Sequence, residues 1–181
     1  MTEHITKVLG LAGDARFAGR NCDYIDIRWG EARKHRQLRH SASGRELTID
    51  LSRGTFLAAA TVLWDDGTDI VVVRRPPEDA IVVNFLENEG ADGVRRALLL
   101  GYALGNQHAP LQVSRTDLRT PLMTEPGAAR QMLVSLGLKG AVTQVPLAEQ
   151  GWTNTSADHH HQLTAEDGSA RHNAAPDDLR G

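Results

Sequence analysis

The sequence predicts an α+β protein in three parts: a β-rich N-terminal domain over residues 1–76, a ferredoxin-like βαββαβ domain over 77–150, and a disordered tail over 151–181. Three observations carry this. Short runs of alternating apolar and polar residues fill the first 75 positions, helical periodicity is confined to two stretches beyond them, and patterning stops at about Gly151. At 181 residues the chain can hold two small cores.

In the first part, Ile25, Ile27 and Trp29 alternate with Asp26 and Arg28, as a half-buried strand requires. Leu47, Ile49 and Leu51 alternate with Thr48 and Asp50 after a turn at Ser43-Gly44. Asp65-Asp66-Gly67 separates Thr61–Trp64 from Ile70–Val73 and predicts a hairpin. Regular short strands with glycine-bearing turns favour an antiparallel sandwich or barrel.

The best boundary is Arg74-Arg75-Pro76-Pro77, because neighbouring prolines interrupt a sheet ladder. Beyond it, Ala80–Phe85 reads as a strand. Asp92 can cap a helix running to about Leu104, with Val94, Ala97, Leu98 and Gly101 as its apolar run and Gly105 as the residue that ends it. Ala109–Val113 reads as a strand. Thr124 can cap a second helix with Pro126 in its first turn, Ala129, Met132, Leu133 and Leu136 on one face, and Gly137 at its end. Ala141–Val145 is the last strand. From Gly151 onward the residues are too small and polar to offset the entropy of ordering.

Composition excludes several functions. No run approaches the roughly 20 apolar residues of a membrane span, and Met1–Lys7 lacks the basic-then-apolar pattern of a secretion signal. One cysteine, Cys22, excludes an internal disulfide and suits a reducing compartment, so the expected location is cytoplasmic. Residues 1–76 carry 12 Lys/Arg against 10 Asp/Glu, too even a balance for a nucleic-acid-binding domain. Cys22 has acidic rather than cationic neighbours, and no phosphate loop, nucleophile elbow or HExxH motif is present, so no enzyme activity is expected.

Histidines are the remaining chemistry. His108 follows the first helix, and from spacing alone it is a surface histidine beyond a helix end. His159, His160, His161 and His172 fall in the last 31 residues, where a mobile segment can offer alternate imidazoles to one ion. Arg33-Lys34-His35-Arg36-Gln37-Leu38-Arg39-His40 is a basic run that suits either a solvated strand face or an acidic or phosphate-bearing partner.

The string Tyr102-Ala103-Leu104-Gly105-Asn106-Gln107-His108-Ala109-Pro110-Leu111-Gln112 closely resembles the Tyr-His-Leu-Gly-Asn-Arg-His-Val-Pro-Leu-Gln signature of the UreE urease accessory family, nickel metallochaperones. The stretch from Arg33 to Asp79 also resembles that family's β-rich N-terminal domain, whose suggested role is contact with protein partners. The resemblance covers roughly residues 25–147. It implies that His108 binds Ni²⁺ at the interface of a homodimer, where a two-fold axis turns one position into two ligands. His159, His160 and His161, and His172, would be a shortened form of the histidine-rich tail of many members. It further implies the urease accessory GTPase UreG and the apo-urease complex as partners; imidazole donors alone do not choose strongly among divalent ions, so Zn²⁺ or Cu²⁺ would compete.

Departures from the family pattern limit this. Ala103 stands where relatives commonly carry histidine and Gln107 where they carry arginine. Leu118–Thr124 lacks the further histidines some members have there, and Leu147–Trp152 blurs their closing motif. Nickel capacity should therefore be low, and binding should weaken below about pH 6.5, where protons compete for imidazole. Two rival functions remain: a metal buffering or storage protein centred on the tail, and an RNA- or acidic-protein-binding module using the basic 33–40 strand.

Overall fold

The computed structural model describes residues 2–153. The first half holds β1 (Thr2–Ile5), β2 (Gly10–Leu11), β3 (Asn21–Asp26), β4 (Arg36–His40), β5 (Glu46–Asp50), β6 (Thr61–Asp65) and β7 (Asp69–Arg74). These make a three-stranded sheet ordered β1-β5-β4 and a four-stranded sheet ordered β2-β6-β7-β3. Ile5, Leu47 and Ile49 of the first sheet share a core with Ile25, Val71 and Val73 of the second. On the other face of β7, Ile70 and Val72 pack with Val62 and Phe17. Burial on both faces explains why residues 70–73 read as an unbroken apolar run rather than an alternation.

The sandwich is not purely antiparallel: β1 runs parallel to β5 and β3 parallel to β7. Turn chemistry specifies only near neighbours in sequence, and both of these pairings join strands far apart in the chain. The hairpin forms as its sequence requires. Gly67 takes a φ of 96°, and the Asp66 carboxylate accepts the N–H groups of Thr68 (2.9 Å) and Asp69 (2.8 Å). The expected strand through Trp29 ends early, at Asp26, and Trp29–Glu31 form a short 3₁₀ turn.

The second half holds β8 (Pro77–Asn84), α1 (Gly90–Asn106), β9 (Gln112–Val113), β10 (Asp117–Pro121), α2 (Pro126–Ser135) and β11 (Gly140–Pro146). Its sheet is ordered β11-β8-β10-β9 and is antiparallel throughout. Leu100 and Leu104 of α1 and Ala129 and Leu133 of α2 pack over Ile81, Val83 and Leu118. Each large apolar side chain buried there contributes about 1.5–3 kcal/mol.

Gly93 sits where α1 passes the turn before it. A Cβ at that position would lie 1.5 Å from the Asn88 carbonyl oxygen. The Asn88 side-chain amide in turn bridges to the residue just before the last strand, donating to the Lys139 carbonyl (2.7 Å) and accepting the Lys139 N–H (2.8 Å). Gly93→Ala is expected to destabilise the protein by about 2 kcal/mol through this overpacking. A denaturant midpoint equal to that of the parent would contradict it.

The two halves meet along a seam. Burial leaves Arg75 only 4% exposed. Its guanidinium donates to the carbonyls of Ile27 (2.7 Å), Leu57 and Ala148 (3.4 Å). Leu147 and Ala148 are fully buried, the Ala59 N–H donates to the Glu149 carbonyl (2.7 Å), and Trp152 meets Trp29 edge-on with ring centroids 5.7 Å apart. Packing therefore continues past Gly151, where sequence patterning fades, because the apolar partner of Trp152 lies 123 positions away.

Candidate functional site

Both helices end in the same backbone motif, and the difference between them defines the site. At the end of α2, Gly137 adopts a φ of 65°. The Leu138 N–H bonds the Leu133 carbonyl (2.9 Å) and the Gly137 N–H bonds the Val134 carbonyl (2.9 Å). At the end of α1 the equivalent bonds run from Ala109 to Leu104 (3.0 Å) and from His108 to Gly105 (3.0 Å). The left-handed residue there is His108, with a φ of 52°.

This corrects the reading that ended the helix at Gly105, since α1 continues through Asn106. Ala109 docks with Leu104 in the core, the apolar contact that accompanies such a cap. It also shortens the expected strand 109–113 to Gln112–Val113. The helix end thus aims the imidazole by fixing the backbone on both sides of it.

A non-glycine residue in this region carries a strain of about 1 kcal/mol. His108→Gly should raise thermal stability by a comparable amount while removing the imidazole. Ala60→Gly, at a φ of 64° in the N-terminal half and outside the lining of the His108 cleft, is the control and should stabilise similarly without touching ligand binding. Thermal melts of the two variants check this.

The His108 side chain is exposed, and its ring makes no hydrogen bond or ion pair among the described residues. It opens on a cleft of about 290 Å³ that it shares with Trp29, Gly30, Arg33, Pro110, Met123 and Trp152. The ring nitrogens are therefore available to an exogenous ion. No group of three or more His, Cys, Asp or Glu side chains gathers around any metal position among the described residues. His159, His160, His161 and His172 lie outside the described residues. One imidazole is an incomplete donor set, so a bound divalent ion needs ligands from elsewhere.

Sequence reasoning missed Trp29, Met123 and Trp152 as neighbours of His108. Trp152 offered a signal, because a large aromatic stranded in a polar segment usually has a packing partner.

The basic run does not present a bare cationic stripe. Lys34 (3.7 Å) and Arg39 both pair with Glu31, Arg36 with Asp50 (3.1 Å), and His40 lies 3.4 Å from Glu46. Desolvation works to raise the Glu31 carboxyl, but the hydrogen bond and charge of Arg39, with Arg28 and Lys34, outweigh it and hold the group below its ordinary range. Internal pairing of this kind leaves little charge for a phosphate backbone.

A second surface borders the helix. Val94, Leu98 and Tyr102 are 61%, 69% and 71% exposed. With Phe85, Leu111 and Val113 they line an apolar groove of about 690 Å³. The apolar run of α1 thus faces outward, while Leu100 and Leu104 supply the core.

Comparison with known proteins places these features in context. A family model for the N-terminal domain of the UreE urease accessory protein matches residues 5–75, and one for its C-terminal domain matches residues 78–174. A urease accessory protein UreE of Acetivibrio thermocellus is 35% identical over 134 residues, 74% of this chain and 82% of that protein. One of Flavobacterium johnsoniae is 30% identical over 121 residues, 65% and 68% of the two chains. One of Yersinia bercovieri is 33% identical over 112 residues, 59% of this chain and 49% of its own length.

Proposed function

The chain belongs to the UreE family of urease accessory proteins, nickel chaperones rather than enzymes, and on that premise we propose that it works as a homodimer carrying Ni²⁺ on His108. The observation that carries this reading is the helix end itself: an exposed imidazole, held in one direction by a left-handed cap, with its ring unengaged. A chaperone's ligand must be oriented enough to capture an ion and accessible enough to surrender it.

Several features support the dimer. The groove beside α1 gathers the exposed Val94, Leu98 and Tyr102 into one apolar surface of the kind that marks a protein contact. Its helix ends two residues before His108, so a two-fold contact along that face would bring two imidazoles to one ion. In the second half, the sheet order β11-β8-β10-β9 with both helices on one face supports a ferredoxin-like dimerisation and metal-binding domain over 77–150. The sandwich over 1–76 is then the partner-contact domain.

Two imidazoles still leave Ni²⁺ short of donors, and the tail is the natural supplier. Thr153 is tied to β9, its N–H donating to the Leu111 carbonyl (2.7 Å) and its hydroxyl accepting the Val113 N–H (2.7 Å). His159 lies six positions beyond Thr153 in sequence, a reach of up to ~20 Å. His159, His160, His161 and His172 are thereby proposed as exchangeable ligands to the ion held by His108, with Zn²⁺ and Cu²⁺ as competitors. Transfer proceeds by stepwise replacement of these ligands by those of the recipient, which we take to be the accessory GTPase UreG and then apo-urease. No helix among the described residues is long and apolar enough to cross a membrane, which is consistent with the proposed cytoplasmic location.

Leu98→Glu tests the arrangement. A carboxylate in the centre of the apolar face should yield monomers by sedimentation velocity and abolish the tight nickel site, since each monomer keeps one imidazole. A variant that remains dimeric, or a monomer that binds nickel as tightly as the parent, overturns the reading.

A further inference from the structure

The cleft beside His108 holds a second metal-ligating atom type that the nickel reading leaves unused. Met123, in the connection between β10 and α2, is 54% exposed and lines the same cleft as His108. Its thioether is unusual company for a nickel ligand. Sulfur of this kind is a soft, uncharged donor with little affinity for the harder Ni²⁺ or Zn²⁺, whereas Cu(I) prefers thioether and imidazole together.

We infer that His108 and Met123 form a Cu(I)-binding site, walled by Trp29 and Trp152, in which a soft monovalent ion is held at the position where the chaperone takes up nickel. Three features of the cleft support a monovalent soft ion. Cu(I) is content with few ligands, so one imidazole and one thioether go further toward satisfying it than they do for a four- or six-coordinate divalent ion. The edge-on pair of Trp29 and Trp152, 5.7 Å between centroids, lines the open cleft with aromatic surface that accepts a cation against its rings. Arg33 also lines the cleft, and its charge repels a monovalent ion half as strongly as a divalent one at the same distance. Binding forms two donor bonds and changes no oxidation state.

The inference rests on His108 being a metal ligand, as proposed above, and the test separates the two. Full-length protein is titrated anaerobically with Cu(I), kept reduced by ascorbate, against a chromophoric Cu(I) chelator. Ni²⁺ affinity is measured in parallel by calorimetry. Met123→Leu conserves volume at an exposed position, so the variant should fold. It is expected to lose about tenfold in Cu(I) affinity and to keep its Ni²⁺ affinity within twofold. Met132→Leu, the control on α2, should change neither. Cu(I) should also perturb the tryptophan emission of a Trp64→Phe variant, which retains only the two indoles of the cleft.

Unchanged Cu(I) affinity in Met123→Leu, with nickel binding lost in His108→Ala, overturns this inference alone. Unchanged affinity for both metals in His108→Ala overturns it together with the nickel reading. Equal loss of both metals in Met123→Leu also overturns it, because the residue would then be shaping the site rather than selecting a soft ion.

Discussion

Replacing His108 by alanine is expected to lower nickel affinity by about a hundredfold or more, measured by calorimetric titration of the full-length protein. Altering even a residue that only orients a metal ligand costs 10–100-fold in typical sites. In the proposed dimer this single change deletes two ligands, leaving the tail histidines and water to hold the ion. The effect belongs to the imidazole rather than to the fold. The cap at the end of α1 is made by backbone groups of Leu104, Gly105, His108 and Ala109, which alanine retains. His108→Gly, which relieves the left-handed φ, should lose nickel to the same extent while melting higher. Nickel affinity within threefold of the parent in both variants, with the tail also removed after Thr153, would dispose of the interface site.

The largest effect on stability is expected at Arg75. Arg75→Met should cost about 3 kcal/mol in urea denaturation at neutral pH. Two opposing terms set this figure. Burial pushes the Arg75 guanidinium down to about 10, against the pull of the Glu78 and Glu149 carboxylates. Relief of that desolvation favours methionine by about 3 kcal/mol.

Against it stand the carbonyls of Ile27, Leu57 and Ala148, which lose charged donors worth about 1.5–3 kcal/mol each. Three such bonds outweigh the desolvation. The sign of the pH dependence follows from the same shift. The folded protein releases this proton more readily than the unfolded chain, so the charged form costs stability below pH 10 and the cost disappears only as pH rises above that value. The Arg75→Met deficit should accordingly be flat from pH 6 to 9. A loss under 1 kcal/mol would mean that water or neighbouring groups satisfy the freed carbonyls. Because Ala148 lies four residues before Trp152, a loosened seam should also shift the emission of the Trp29–Trp152 pair to longer wavelength.

These two residues illustrate what a linear reading carries and what it omits. Arg75 looked like a charge at a boundary, and nothing adjacent to it in sequence signals that it is buried; its carbonyl partners lie 18 to 73 positions away. His108 was singled out by its sequence context, but its role as the left-handed residue was assigned to Gly105. Glycine announces such a conformation through the absent Cβ, as Gly137 does at the end of α2, whereas a histidine held there by its surroundings carries no local mark.

By itself the sequence determined the alternating strands of the first half, the hairpin at Gly67, two helices interleaved with strands in the second, and a histidine just beyond the first helix. All of these depend on periodicity and turn chemistry within a few residues. Only the tertiary structure decided that Val94, Leu98 and Tyr102 face outward while Leu100 and Leu104 face the sheet, that β1 runs parallel to β5 and β3 to β7, and that Trp29, Met123 and Trp152 line one cleft with His108. The reason is physical: a 3.6-residue period fixes which side chains share a helix face, but the face that is buried depends on surfaces supplied by distant segments.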